Sequence, residues 1–259
     1  MLPYFRHYVA LGDSMSIDLY PALDAGETDV AVALERDPTV GAVAPIGAAS
    51  LFYQNDDARW PEDQGDDLVA RYPGIVVQNL ADDSATIGDV FGEQLAQLGE
   101  SDEATLVTLT VGSNDLLSAF STRPRASLLE RIAKDVGEAY EFLVEAVRRA
   151  RPNSLVLLTT LYDPSDRSGR IPGVLEDVGA LPLAVLEGLN AHIARVSQGV
   201  PGTALADVYQ HFIGHGAMAE PADRWYWRRS LVEPNAVGAH EIRRVWRETL
   251  DIADADFSA

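Results

Sequence analysis

The sequence predicts an α/β fold, a three-layer α/β/α sandwich on a parallel sheet of about five strands. Three observations predict it. Short apolar, β-branched runs recur at residues 8–11, 75–80, 105–111, 155–161 and 204–208, with helical patterns between most of them. Those runs are continuously apolar instead of alternating, as strands covered on both faces must be. The chain has 259 residues, 47% of them hydrophobic, enough for one large core.

Taken in order, the first run, "YVAL", empties onto Gly12-Asp13-Ser14-Met15-Ser16. Residues 37–73 then lack a clear period and carry the acidic stretch "NDDARWPEDQGDD". Its acids miss the alternate spacing of a calcium loop, so a solvated acidic excursion is expected there. After the second run comes "NLADDSATIGDV", and residues 87–98 read as a helix. The third run ends in "VGSND". Residues 127–150 form a stronger helical pattern, with Ser127 and Glu130 spaced as a capping box. Helices at 183–196 and 235–250 complete the alternation, the last with Ala239, Ile242, Val245, Trp246 and Leu250 on one face. No repeat, linker or low-complexity tract divides 1–259, so one domain is expected.

Composition narrows the function classes. Forty acidic residues against twenty basic ones leave a net charge of −20, and Lys134 is the sole lysine. Such a surface repels phosphate backbones and argues against nucleic-acid partners. The same balance suits a salt-rich cytoplasm or a high-GC genome, or simply solubility. With no cysteine, thiolate catalysis, disulfides and cysteine-ligated zinc are excluded. No run reaches the length of a membrane span, and the first residues lack a signal-peptide pattern, so a cytoplasmic protein is expected.

In an open parallel sheet, ligands meet the chain beyond the carboxyl ends of the strands. There the sequence places a hydroxyl (Ser14), turns with free backbone N–H groups, and a side-chain amide (Asn114). Acyl transfer needs this set: a serine that attacks the carbonyl and N–H donors that hold the oxyanion. Ser16 and Asp115 read as supporting or capping groups, and Asp13 as the side chain that holds the turn.

Gly12-Asp13-Ser14-x-Ser16 followed by Gly112-x-Asn114-Asp115 resembles the SGNH, or GDSL-type, serine hydrolases. The resemblance implies a flavodoxin-like sheet, esterase or lipase activity on a small-molecule ester, and no cofactor or metal. It implies Ser14 as nucleophile and first oxyanion donor, and Asn114 as the side-chain donor. Ser84 stands where the family usually has a glycine donor, a role a serine N–H keeps if its φ is negative. An alternative within the resemblance is removal of acetyl groups from a carbohydrate. A rival outside catalysis is an SGNH-like binding protein.

One block departs from the family. Its usual Asp-x-x-His-Pro-Asn segment reads Ser230-Leu231-Val232-Glu233-Pro234-Asn235 here, so Glu233 occupies the histidine position. Among five histidines, His7 lies at the far end of the first strand and His192 within a helix expected to expose it. His240 shares a helix face with Arg244, Arg247 and Asp251, read as solvated. His215, in the corner "GHG", is the expected general base, with His211 second. Glu233 would then orient the imidazole, the third role in a catalytic triad. The aromatic group Trp225, Tyr226 and Trp227 reads as pocket wall or core, and the loop 162–173 as a wall of the cleft.

Overall fold

The computed structural model describes residues 2–34, 44–174 and 179–256. Five parallel strands form the central sheet: β1 (His7–Gly12), β2 (Val76–Asn79), β3 (Thr105–Thr110), β4 (Ser154–Thr159) and β5 (Thr203–Ala206). Their order is β2-β1-β3-β4-β5, the order of a flavodoxin-like sheet. The chain leaves β1 towards one edge and β3 towards the other, so a crevice opens between their carboxyl ends. In register, Gly12 lies opposite Thr110 at that crevice.

Strand period 2 divides the core between the sheet's two faces. Tyr8 and Ala10 join one cluster with Phe52, Phe212 and Trp246. Val9 and Leu11 join the other with Tyr140, Val144 and Ile193. The first face is covered by the helices Ala48–Tyr53 and Ala236–Asp256, the second largely by Ala126–Ala150 and Leu183–Gly199.

Three sequence expectations change here. The helix at 127–150 starts at Ala126 with Arg125 as its N-cap, so Ser127 already lies in the first turn and its capping box with Glu130 does not form. The segment 87–98 is helical but contains a π turn, Val90–Gln94. That turn presents buried Gln94, whose Oε1 accepts from the Gly12 N–H and whose Nε2 donates to the Gly12 carbonyl, both at 2.8 Å. One side chain thereby bonds both backbone groups of the last residue of β1, whose carbonyl also accepts from the Asp82 N–H at 3.1 Å.

The third change is the acidic excursion, of which residues 37–43 lie outside the described residues. The remainder is not solvated loop. It carries the helix Ala48–Tyr53, whose Phe52 ring lies 5.4 Å from Tyr8 and 5.7 Å from Trp246. Asp57 and Glu62 stay exposed, but Asp63 turns inwards. Asp63 accepts from His240 Nε2 at 2.5 Å and pairs with Arg243 at 2.8 Å, while Arg247 pairs with Asp66. His240 is therefore buried, stacked on Trp60 at 3.8 Å, where a solvated position was expected. The excursion folds over a helix face whose arginines would otherwise be in water. No described helix is long and apolar enough to cross a membrane.

Candidate active site

The first corner is set by Gly12, at φ +129°; a Cβ there would stand 1.8 Å from the Thr110 carbonyl oxygen. Only glycine lets β1 run flush against β3 and still turn. Beyond it, the Asp13 N–H donates to the Thr110 carbonyl at 2.8 Å, and the Asp13 carboxylate accepts from the Met15 N–H at 3.1 Å. Asp13 thus closes an Asx turn around Ser14, as expected. Ser16 bonds Thr110 Oγ1 at 2.8 Å and holds the corner from behind.

The third corner carries Asn114 in the helix Ser113–Ser121. Its amide donates one hydrogen to the Ala85 carbonyl at 3.0 Å, which orients the side chain and ties the second strand end to the third. Asp115 lies in the first turn of the same helix, and its carboxylate accepts from the Ile87 N–H at 3.1 Å, at the start of the neighbouring helical segment.

Glu233 arrives by a feature the sequence pattern did not suggest. A small antiparallel hairpin, β6 (Tyr226–Trp227) and β7 (Ser230–Pro234), lies outside the main sheet. Below it, the Pro-Asn-x-x-Gly frame acts as a clasp. The Asn235 amide donates to the Arg224 carbonyl at 2.8 Å, and its oxygen accepts from the Gly238 N–H at 2.8 Å. A Cβ on Gly238 would stand 2.1 Å from the Trp225 carbonyl oxygen, so the last helix approaches the hairpin through a bare backbone. Glu233 is held at the end of β7 by this clasp.

Ser14, Asn114 and Glu233 meet in one cleft of about 860 Å³, counting its open mouth. Asp13 lies at its base, and the loop after β4 walls it through Tyr162, Asp163 and Ile171, as expected. Most of the remaining lining is aliphatic or aromatic, including Leu117 and Phe120 of the helix that carries Asn114.

Electrostatics in the cleft are unusual. Burial pushes the Glu233 carboxyl up to about 7, against a hydrogen bond with Ser14 that lowers it, and Asp83 nearby raises it further. Burial also pushes Asp13 up to about 7, opposed by the Met15 N–H and reinforced by Glu233. Desolvation disfavours the charged carboxylate, and no cation among the described residues compensates it here.

Other expected site residues lie elsewhere. His215 does not line the cleft: its ring stacks on Trp225 at 3.5 Å, and its Nδ1 bonds the Asp223 carbonyl at 2.7 Å. The structure does not bring His215 to the cleft where Ser14 lies, and the expected base is corrected on that ground. Nor is His215 the partner that Glu233 orients. His211 bonds Glu241 at 2.6 Å, again away from the cleft. His7 pairs with Glu103, and His192 lies half-buried against Gly137, where exposure was expected. Ser84 takes φ +61°, the left-handed region that glycine favours, contrary to the negative φ its expected role required. It is exposed and lies outside the Ser14 cleft, one residue from the Ala85 carbonyl that Asn114 grips. Trp225, Tyr226 and Trp227 are not pocket wall: they pack on His215, Tyr162 and Tyr20 respectively. The side chain that sequence reasoning missed altogether is Gln94, because a π turn has no periodic signature.

The sequence profile of the GDSL-like Lipase/Acylhydrolase family matches residues 39–240. That is well over half of the chain, and the chain belongs to this family. The match begins downstream of Ser14 but spans Ser84, Asn114 and Glu233. Solved structures with the same fold include an extracellular lipase from Streptomyces rimosus, at 20% identity and TM-score 0.58, covering 94% of this chain and 99% of that one. A phospholipase A1 from Streptomyces albidoflavus NA297 matches at 18% identity and TM-score 0.57, covering 95% and 99%. An acetylxylan esterase from Geobacillus stearothermophilus matches at 14% and 0.55, covering 94% and 93%. At these identities the likeness is one of fold. No curated protein is significantly similar in sequence.

Proposed function

We propose that this GDSL-like acylhydrolase cleaves carboxylic esters of short to modest acyl chains through an acyl-enzyme on Ser14. The observation that carries the reading is the meeting of Ser14 and Asn114 in one mostly apolar cleft. Ser14 Oγ attacks the ester carbonyl, and the oxyanion is received by the Ser14 N–H and the free hydrogen of the Asn114 amide. Asn114 is pre-oriented by Ala85, so its dipole needs no reorganisation as charge develops. Asp13, Ser16 and Asp115 hold the three corners in place. The route draws only on groups of this chain and on water, with no metal ion.

The aliphatic lining favours an acyl chain longer than acetyl over a sugar-bound acetate. The second reading, a binding protein that has lost hydrolysis, is favoured by one observation: no histidine lines the cleft. Hydrolysis of p-nitrophenyl acetate, butyrate and octanoate separates the two. The hydrolase reading expects turnover that falls by about 10⁴-fold or more in Ser14→Ala, the scale of losing a serine nucleophile. Equal rates in both proteins on every ester would leave the binding reading standing.

A further inference from the structure

Building on the hydrolase reading, the cleft must still supply a group that takes the Ser14 proton. All five histidines lie within the described residues, and none lines it. One titratable side chain that does line it, Glu233, shares the cleft wall with Ser14, near enough for the hydroxyl to favour its carboxylate. Its second oxygen, Oε2, is buried and has no hydrogen-bond partner among the described residues. The other two carboxyls at the cleft are committed, Asp13 to the Met15 N–H and to closing the turn, and Asp163 to the Ser165 and Arg167 N–H groups and the Ser165 hydroxyl.

We infer that Glu233 is itself the general base, acting directly on Ser14 without an intervening histidine. As the Ser14 Oγ–carbonyl bond forms, the Oγ proton passes to the Glu233 carboxylate and the carbonyl π electrons move to the oxyanion. Collapse breaks the bond to the alkoxide, and Glu233 returns the proton so that an alcohol leaves. Water then attacks the acyl-enzyme, its proton goes to Glu233, and the Oγ–acyl bond breaks. The departing Oγ recovers the proton, and the acid product is released. No oxidant, metal or further reactant is needed.

The surroundings suit that task. Groups facing Glu233 from the neighbouring elements are all acids: Asp13 after β1, Tyr20 of the helix Leu19–Asp24, Asp83 after β2 and Tyr162 after β4. Among the described residues no arginine is set against it to keep the carboxylate permanently ionised, whereas an ordinary exposed glutamate would be too weak a base at neutral pH. Burial brings Glu233 to about 7, where it both takes and returns a proton.

The test follows kcat/KM for p-nitrophenyl butyrate from pH 5 to 9 at two temperatures. Wild type, Ser14→Ala, Glu233→Gln and His215→Ala are compared, with melting curves confirming that each variant is folded. We expect the wild-type rate to rise through a limb near pH 7 that stays in place on warming, because carboxyl ionisation carries little heat. Imidazole ionisation carries much more and would move the limb to lower pH. Glu233→Gln should lose about 10²–10⁴-fold and the limb with it, the usual share of a general base. His215→Ala should keep both. A limb that moves on warming as an imidazole's does, a folded Glu233→Gln that keeps it, or a His215→Ala that loses it would overturn the inference while leaving Ser14 in place. Absence of any Ser14-dependent turnover would instead overturn the hydrolase reading and this inference together.

Discussion

The molecule buries carboxyl groups in two places, in opposite company. In the cleft, Asp13 and Glu233 are withdrawn from water among other acids, and both are pushed up to about 7. Along the last helix, Asp63 and Glu241 face His240, Arg243, His211 and Arg244, and both are held below the usual carboxylate range despite burial. Desolvation acts on all four; the partner decides the direction. An uncompensated carboxyl reduces stability at neutral pH and gains the ability to exchange protons there. A compensated one becomes a clamp, here joining the excursion to the final helix. His211, second to His215 as the expected base, and His240 both belong to the clamp.

Changes on either side can break this contrast. The largest stability effect belongs to the clamp. Asp63→Ala leaves Arg243, which is fully buried, without its carboxylate. Breaking such a pair costs roughly 3–5 kcal/mol, read as a lower midpoint in urea, while the pH profile of the folded enzyme's activity keeps its shape. The clamp's pH dependence follows in sign. Asp63 and Glu241 are depressed, so their contribution is present above the ordinary carboxylate pKa and disappears as pH falls through their lower folded values. Acid unfolding should therefore be steeper in wild type than in Asp63→Ala.

In the cleft, Asn114→Ala removes a positioned oxyanion donor and should lower kcat by about 10²–10³-fold, or 2.7–4 kcal/mol, with little change in melting temperature. The smallest effect sharpens the comparison most. Glu233 is raised, so its contribution is present below the unfolded pKa and is lost as pH rises through about 7. Glu233→Gln should then stabilise the protein at pH 8 by about 1–3 kcal/mol and by much less at pH 5. An equal shift at both values would show that the carboxyl is not desolvated.

The sheet and two of its corners were legible because they depend on local pattern. A continuous apolar run ending in glycine specifies a buried strand and a turn, and "GDSMS" and "GSND" stand at such ends. The position of Glu233 was legible from the Pro-Asn-x-x-Gly frame, but its neighbour was not. Its place beside Ser14 depends on a hairpin whose first strand has two residues, too short to show a period. His240 was misread for a related reason. Helical spacing groups it with Arg244, Arg247 and Asp251, but its cover is Asp63, 177 positions away in sequence. Ser84 shows the limit of motif transfer: it takes a glycine's backbone conformation without being one.

In the proposed reaction Ser14 carries the acyl group. Its most direct test is mass spectrometry of the protein quenched in acid during turnover of p-nitrophenyl octanoate, followed by peptide mapping. An octanoyl adduct is expected on the peptide containing Ser14, absent in Ser14→Ala, and a fluorophosphonate should label the same peptide. Turnover with no adduct, or with an adduct on another residue, would contradict it.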